Sequence, residues 1–116
     1  MTALAAVLPT AVGASLAYTA VSDGVGVLPA AVGARYLLLF RNTGGSASVP
    51  TIDDPTSTTP VGATAFNPDL VGASVPATTG ATAGLIDAGR FRDASGNINM
   101  TFTNPTSLTV AVIGPL

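Results

Sequence analysis

Residues 91–113 read F-R-D-A-S-G-N-I-N-M-T-F-T-N-P-T-S-L-T-V-A-V-I, and the reading of this stretch decides the fold class. Ile98, Met100 and Phe102 alternate with Asn97, Asn99, Thr101 and Thr103; Leu108, Val110 and Val112 alternate with Thr109, Ala111 and Ile113. Successive side chains on a strand point to opposite faces, so each run has one apolar face and one mostly polar or small face. Asn104-Pro105-Thr106 between them is turn chemistry, because Asn bonds its own backbone and Pro presets one dihedral. The expectation is a β-hairpin in which 102 faces 108, 100 faces 110 and 98 faces 112. That register collects all six large apolar residues on one buried face, and a slip of one residue would expose half of them.

Working outward, Asp93-Ala94-Ser95-Gly96 reads as a turn, with Gly96 suited to a left-handed position. Asp87 and Asp93 lie close in sequence to Arg90 and Arg92, and exposed pairs of this kind contribute about 0–1 kcal/mol. Tyr36-Leu37-Leu38-Leu39-Phe40-Arg41 is an apolar run without alternation, flanked by Gly33 and by Asn42-Thr43-Gly44-Gly45. It is expected to be a strand buried on both faces, one against the core and the other under the N-terminal segment or a neighbouring subunit. Residues 47–52 return as a short strand, with Pro50 placing it at an edge or a bulge. Residues 53–66 form a Pro/Thr/Ser-rich loop. Its adjacent Asp53 and Asp54 are read as a solvated turn rather than a calcium site, since neither a D-x-D-x-D-G loop nor any Glu is present.

Leu8-Pro9-Thr10-Ala11-Val12-Gly13-Ala14 recurs imperfectly as Leu28-Pro29-Ala30-Ala31-Val32-Gly33-Ala34. Two copies are too few for a solenoid, and chance similarity in an Ala/Val/Gly-rich chain stands beside a structural repeat. Residues 1–15 are read as an apolar N-terminal arm and residues 16–116 as the β domain. Met1 to Ala20 lacks the positive region of a secretion signal, and Pro9 and Gly13 interrupt its apolar run. No run of 18 apolar residues suggests a membrane-spanning helix.

The composition bounds function sharply. Of 116 residues, 47% are hydrophobic, 5% aromatic and only 9% charged, against about 25% charged in a typical soluble domain. So few solubilising charges favour life in an assembly. The sequence contains no Cys, His, Lys, Glu, Gln or Trp. A nucleophilic Cys, a His general base, a Schiff-base Lys and the usual zinc ligands are therefore missing, six Asp are the only possible catalytic carboxylates, and no enzyme and no cofactor are expected. Four arginines and a net charge of -2 leave no basic footprint for nucleic acid.

Two stretches resemble a known group. Phe91, Asp93, Ala94, Gly96, Ile98, Met100, Thr101 and Phe102, followed by Leu108 to Ile113, are similar to the C-terminal pattern of small head decoration (minor capsid, or cement) proteins of tailed phages. Tyr36 to Gly45 resembles that group's first core strand and its glycine turn. The resemblance covers roughly residues 28–116, and the Thr/Pro loop at 55–65 and the lack of Lys and Glu depart from it. It implies a structural protein on the outer surface of an icosahedral virion, assembled in the host cytoplasm. Its implied partners are the major capsid protein and other copies of itself, commonly as a trimer.

The fold expected is all-β: a small single-domain sandwich or barrel of about six to eight short strands with Gly/Pro turns and an extended N-terminal arm. By hydrophobicity, Leu4, Val7, Leu8 and Val12 of the arm and Tyr36, Leu38 and Phe40 of the apolar strand are the candidate partner interface. Deleting residues 1–14 is accordingly expected to leave the fold intact and weaken assembly. The alternatives are a carbohydrate- or surface-binding β-module of a fibre or adhesin, and a tail or head-completion subunit.

Overall fold

The computed structural model describes residues 2–8, 13, 15–55, 70–78 and 80–116. In chain order the described strands are β1 (Thr2–Ala3), β2 (Ala6–Val7), β3 (Thr19–Ala20), β4 (Val25–Pro29), β5 (Arg35–Asn42), β6 (Pro50–Ile52), β7 (Leu70–Val71) and β8 (Gly80–Asp87). One helical turn, α1 (Ala88–Phe91), precedes β9 (Asn97–Phe102) and β10 (Leu108–Ile113). They form two sheets: a first in the order β1-β4-β9-β6-β7 and a second in the order β2-β10-β5-β8, with β3 also on β10. The protein is a small all-β sandwich.

Both patterned C-terminal runs are strands with the expected inward faces. Ile98, Met100, Phe102, Leu108, Val110 and Val112 are all buried. Their pairing differs from the expected hairpin. β9 lies between β4 and β6, while β10 pairs with β5 in the other sheet. Residues 103–107 are thus an arch that carries the chain from one layer to the other. The backbone groups at its feet bond outside it: Thr103 N–H donates to Val49 O at 3.2 Å, and Thr43 N–H donates to Ser107 O at 3.3 Å. Asn104 and Ser107 adopt positive φ of 45° and 62° to make the crossing. A two-layer arch lets the two apolar faces cover one another, whereas a hairpin would leave both on one side of one sheet, awaiting a cover. Phe40 of the second sheet meets Phe102 of the first edge-on, with centroids 6.1 Å apart.

β5 also departs from expectation. Tyr36, Leu38 and Phe40 point into the core, while Leu37 and Leu39 face outward and are half-buried. The run is continuous in hydrophobicity but alternates in environment, as strand geometry requires.

Residues 2–7 are woven into the domain, which corrects the reading of that part of residues 1–15 as an arm outside it. β1 runs parallel to β4, β2 runs parallel to β10, and Leu4 between them is 3% exposed. Residues 2–7 therefore cross from one sheet to the other and fill the core on the way. The two related heptads differ in setting, since Leu8 is 60% exposed and Leu28 fully buried; most of the first copy lies outside the described residues.

The turn before β9 is built by Asp93. Its Oδ1 accepts from the backbone N–H groups of Ser95 and Asn97, and its Oδ2 accepts from the Asn99 side-chain amide at 2.8 Å. Gly96 has φ +87°, the left-handed position the sequence suggested. The Asn97 N–H, and after it the Asn99 amide, hold the Asp93 carboxyl below the usual carboxylate range. A depressed folded pKa stabilises the fold above the unfolded value of about 3.9, and that contribution disappears as pH falls through the folded value. Asp93→Asn is therefore expected to lower the urea midpoint at pH 7, and the gap to wild type is expected to narrow as acid protonates the Asp93 carboxyl.

Candidate partner-binding surface

The outward face of the second sheet is assembled mostly from residues that sequence reading did not single out, Val7 being the exception. Val7 lies beside Ile113, Ile113 beside Leu37, and Leu37 beside Leu85, so one row of large apolar side chains crosses four strands. With about 4.8 Å between strands the row spans roughly 14 Å. Leu39 and Ala83 continue the face in the next row beside Ala111, which is itself covered at 1% exposed, and Thr109, Arg41 and Ala81 form the row after it. Val7, Ile113 and Leu37 are half-buried, and Leu85 is 53% exposed. Arg35 opposite Asp87 closes one end of the face. At the other end the Arg41 guanidinium sits 5.0 Å from the centre of the Tyr18 ring. An apolar patch rimmed by charge is the usual form of a surface that meets another molecule.

This geometry corrects most of the expected interface. Leu4, Tyr36, Leu38 and Phe40 are core residues, each 5% exposed or less, so they hold the two layers together and present nothing to a partner. Val7 is on the apolar outer row, and Leu8 is exposed just beyond it. Val12 lies outside the described residues, as does most of the loop at 55–65. Ile113, Leu37 and Leu85 were missed because their exposure depends on which strand pairs with which. The one available signal was the apolar character of Leu37 and Leu39, on the face opposite Tyr36, Leu38 and Phe40.

The opposite face of the sandwich is mixed: Thr51, Asn97, Asn99 and Thr101 share it with Val25, Val27 and the exposed Val71. A shallow cavity of about 210 Å³ on the first sheet is lined by Val25, Thr51, Asp53, Asn99, Met100 and Thr101. Asp54 departs from the solvated-turn reading. Its side chain is 6% exposed and accepts from Arg90 Nε at 3.1 Å, while the Arg90 guanidinium lies 4.7 Å from the centre of the Phe91 ring. Arg90 thus pairs with Asp54, whereas Asp87 caps α1 through Gly89 N–H and Arg92 Nε donates to Ala30 O. Hydrogen bonds to charged groups contribute about 1.5–3 kcal/mol, and the half-exposed arginine puts this one at the low end. Arg90→Ala is expected to cost roughly 1.5 kcal/mol, read as a lower denaturation midpoint at unchanged slope.

Comparison of the chain with protein-family models, with curated proteins and with solved structures finds no match.

Proposed function

We propose that this protein is a structural decoration protein, a cement that binds the outside of an icosahedral phage head as a homo-oligomer and stabilises it. The observation that carries the reading is the apolar outer face of the second sheet, on a chain whose sequence holds almost no catalytic groups. Such a chain acts by covering and being covered. The resemblance of residues 91–113 and 36–45 to decoration proteins supplies the partner, the major capsid protein, and a trimer as the stoichiometry. Oligomerisation would give weak single contacts a high effective concentration, raising avidity by about 10²–10⁴ over one contact. A ligand that binds only the assembled shell stabilises it by linkage.

The carbohydrate-binding alternative is less well supported. Sugar sites rely on exposed aromatic rings; among the described residues Tyr36, Phe40, Phe91 and Phe102 are buried, and the partly buried Tyr18 ring is engaged by the Arg41 guanidinium. The test is localisation on virions of the phage that encodes the chain, by electron microscopy, with co-sedimentation of purified protein and its own heads. Density over the shell and saturable co-sedimentation are expected. Density confined to the tail, or no binding to heads, would overturn the reading.

A further inference from the structure

β8 forms the end of the second sheet, and its sequence is G-A-T-A-G-L-I-D. On one side it pairs with β5 without a bulge, from Arg35 opposite Asp87 to Asn42 opposite Gly80. On the other side no strand lies among the described residues, and its backbone makes no further hydrogen bond there. Proteins usually blunt such an edge with a lysine, a proline, a bulge or brevity. β8 uses none of these: it has eight residues, and its only charge is Asp87 at the end.

We propose that the free edge of β8 pairs antiparallel with β8 of a second copy of this chain, about a two-fold axis through Gly84. The two second sheets then become one continuous sheet. Side-chain alternation restricts the register, because outward residues must meet outward residues. Centring on Gly84 places Gly84 opposite Gly84, Ala83 opposite Leu85, Thr82 opposite Ile86 and Ala81 opposite Asp87. The closest approach is then between two residues without Cβ atoms. Leu85, 53% exposed in the single chain, gains a direct apolar neighbour on the outer face and extends the row from Val7. The two Asp87 side chains stand six residues apart, about 20 Å, well beyond the screening length of about 8 Å in physiological salt. No like charges meet, and the uncharged middle of the strand faces its own copy.

The residues involved are small, so the contact buries less than the roughly 1,200 Å² that marks the low end of stable interfaces. The pairing is therefore weak in solution and is reinforced wherever copies are held close together. Being two-fold, it is a different contact from a three-fold association, and it does not depend on what the protein decorates.

Sedimentation equilibrium of the full chain over a wide concentration range tests the proposal. Wild type is expected to show a reversible self-association that Ala83→Lys weakens by about tenfold or more, because an edge lysine opposes strand addition. Ala81→Lys, opposite Asp87 of the second copy, is expected to tighten it, and Ala81→Asp to weaken it. Inside one chain Ala81 lies beside Arg41, so the same two substitutions shift the melting temperature of dilute, monomeric protein in the opposite directions. That opposition separates association from folding. The chain has no cysteine, so Gly84→Cys under mild oxidation should give a covalent dimer faster than Ala83→Cys. A chain that stays monomeric at every concentration would overturn the proposal. So would association insensitive to Ala83→Lys, with Gly84→Cys cross-linking no faster than Ala83→Cys.

Discussion

Removal of residues 1–7 is expected to unfold this domain rather than release a dispensable arm. The segment contributes β1 to one sheet and β2 to the other. Between them Leu4 N–H donates to Val27 O at 2.8 Å, and its side chain is buried. Truncating one buried leucine to alanine typically costs about 2–5 kcal/mol, and small domains have only about 5–15 kcal/mol in all. Losing Leu4 together with both parallel strand pairings exceeds the single-residue cost. Far-ultraviolet circular dichroism and urea titration of the truncated chain should show little or no cooperative transition, and Leu4→Ala should show a transition at a clearly lower midpoint. A truncated chain that melts like the full one would mean that β1 and β2 contribute nothing to the sandwich.

Phe102→Ala is expected to have the largest effect of any single substitution. The ring is buried in the first sheet, makes an edge contact with Phe40 of the second, and lies against the site where Gly26 leaves room. Phenylalanine-to-alanine changes in cores cost about 3–5 kcal/mol, which for a domain of this size lowers the melting temperature by about 10 °C or more. The contact also tests the two-layer arrangement. A double-mutant cycle of Phe102→Leu and Phe40→Leu should give a coupling of about 0.5–1.5 kcal/mol, the usual worth of an aromatic pair beyond its area. Additive losses would argue that the rings, and hence the inward faces of β9 and β5, do not meet.

Much of the fold was legible in residue patterns because those patterns are local. Alternation at 97–102 and 108–113 named two strands and their inward faces, Gly96 marked a left-handed turn, and Asn104-Pro105 marked a reversal. The connection was misread because a turn tripeptide reports that the chain changes direction and not whether it returns within a sheet or across to another. Tyr36, Leu38 and Phe40 were placed outside for a related reason. An unbroken apolar run does not reveal which parity faces the core, and here even-numbered positions face inward and Leu37 and Leu39 outward. Leu4 was placed outside because two-residue strands such as β1 and β2 carry no periodicity to read.

The amino-acid sequence by itself determined that the protein is all-β, that its core is largely aliphatic, and that Cys, His, Lys and Glu are missing from its chemistry, since all of these follow from residue type and near-neighbour spacing. Only the tertiary structure decided that the 91–113 stretch spans two layers, that the N-terminal residues close both sheets, and that Val7, Ile113, Leu37 and Leu85 align on one outer face. Those three facts depend on pairings between residues far apart in the chain. Such pairings are selected by the joint burial of many side chains, a collective quantity that no single segment carries.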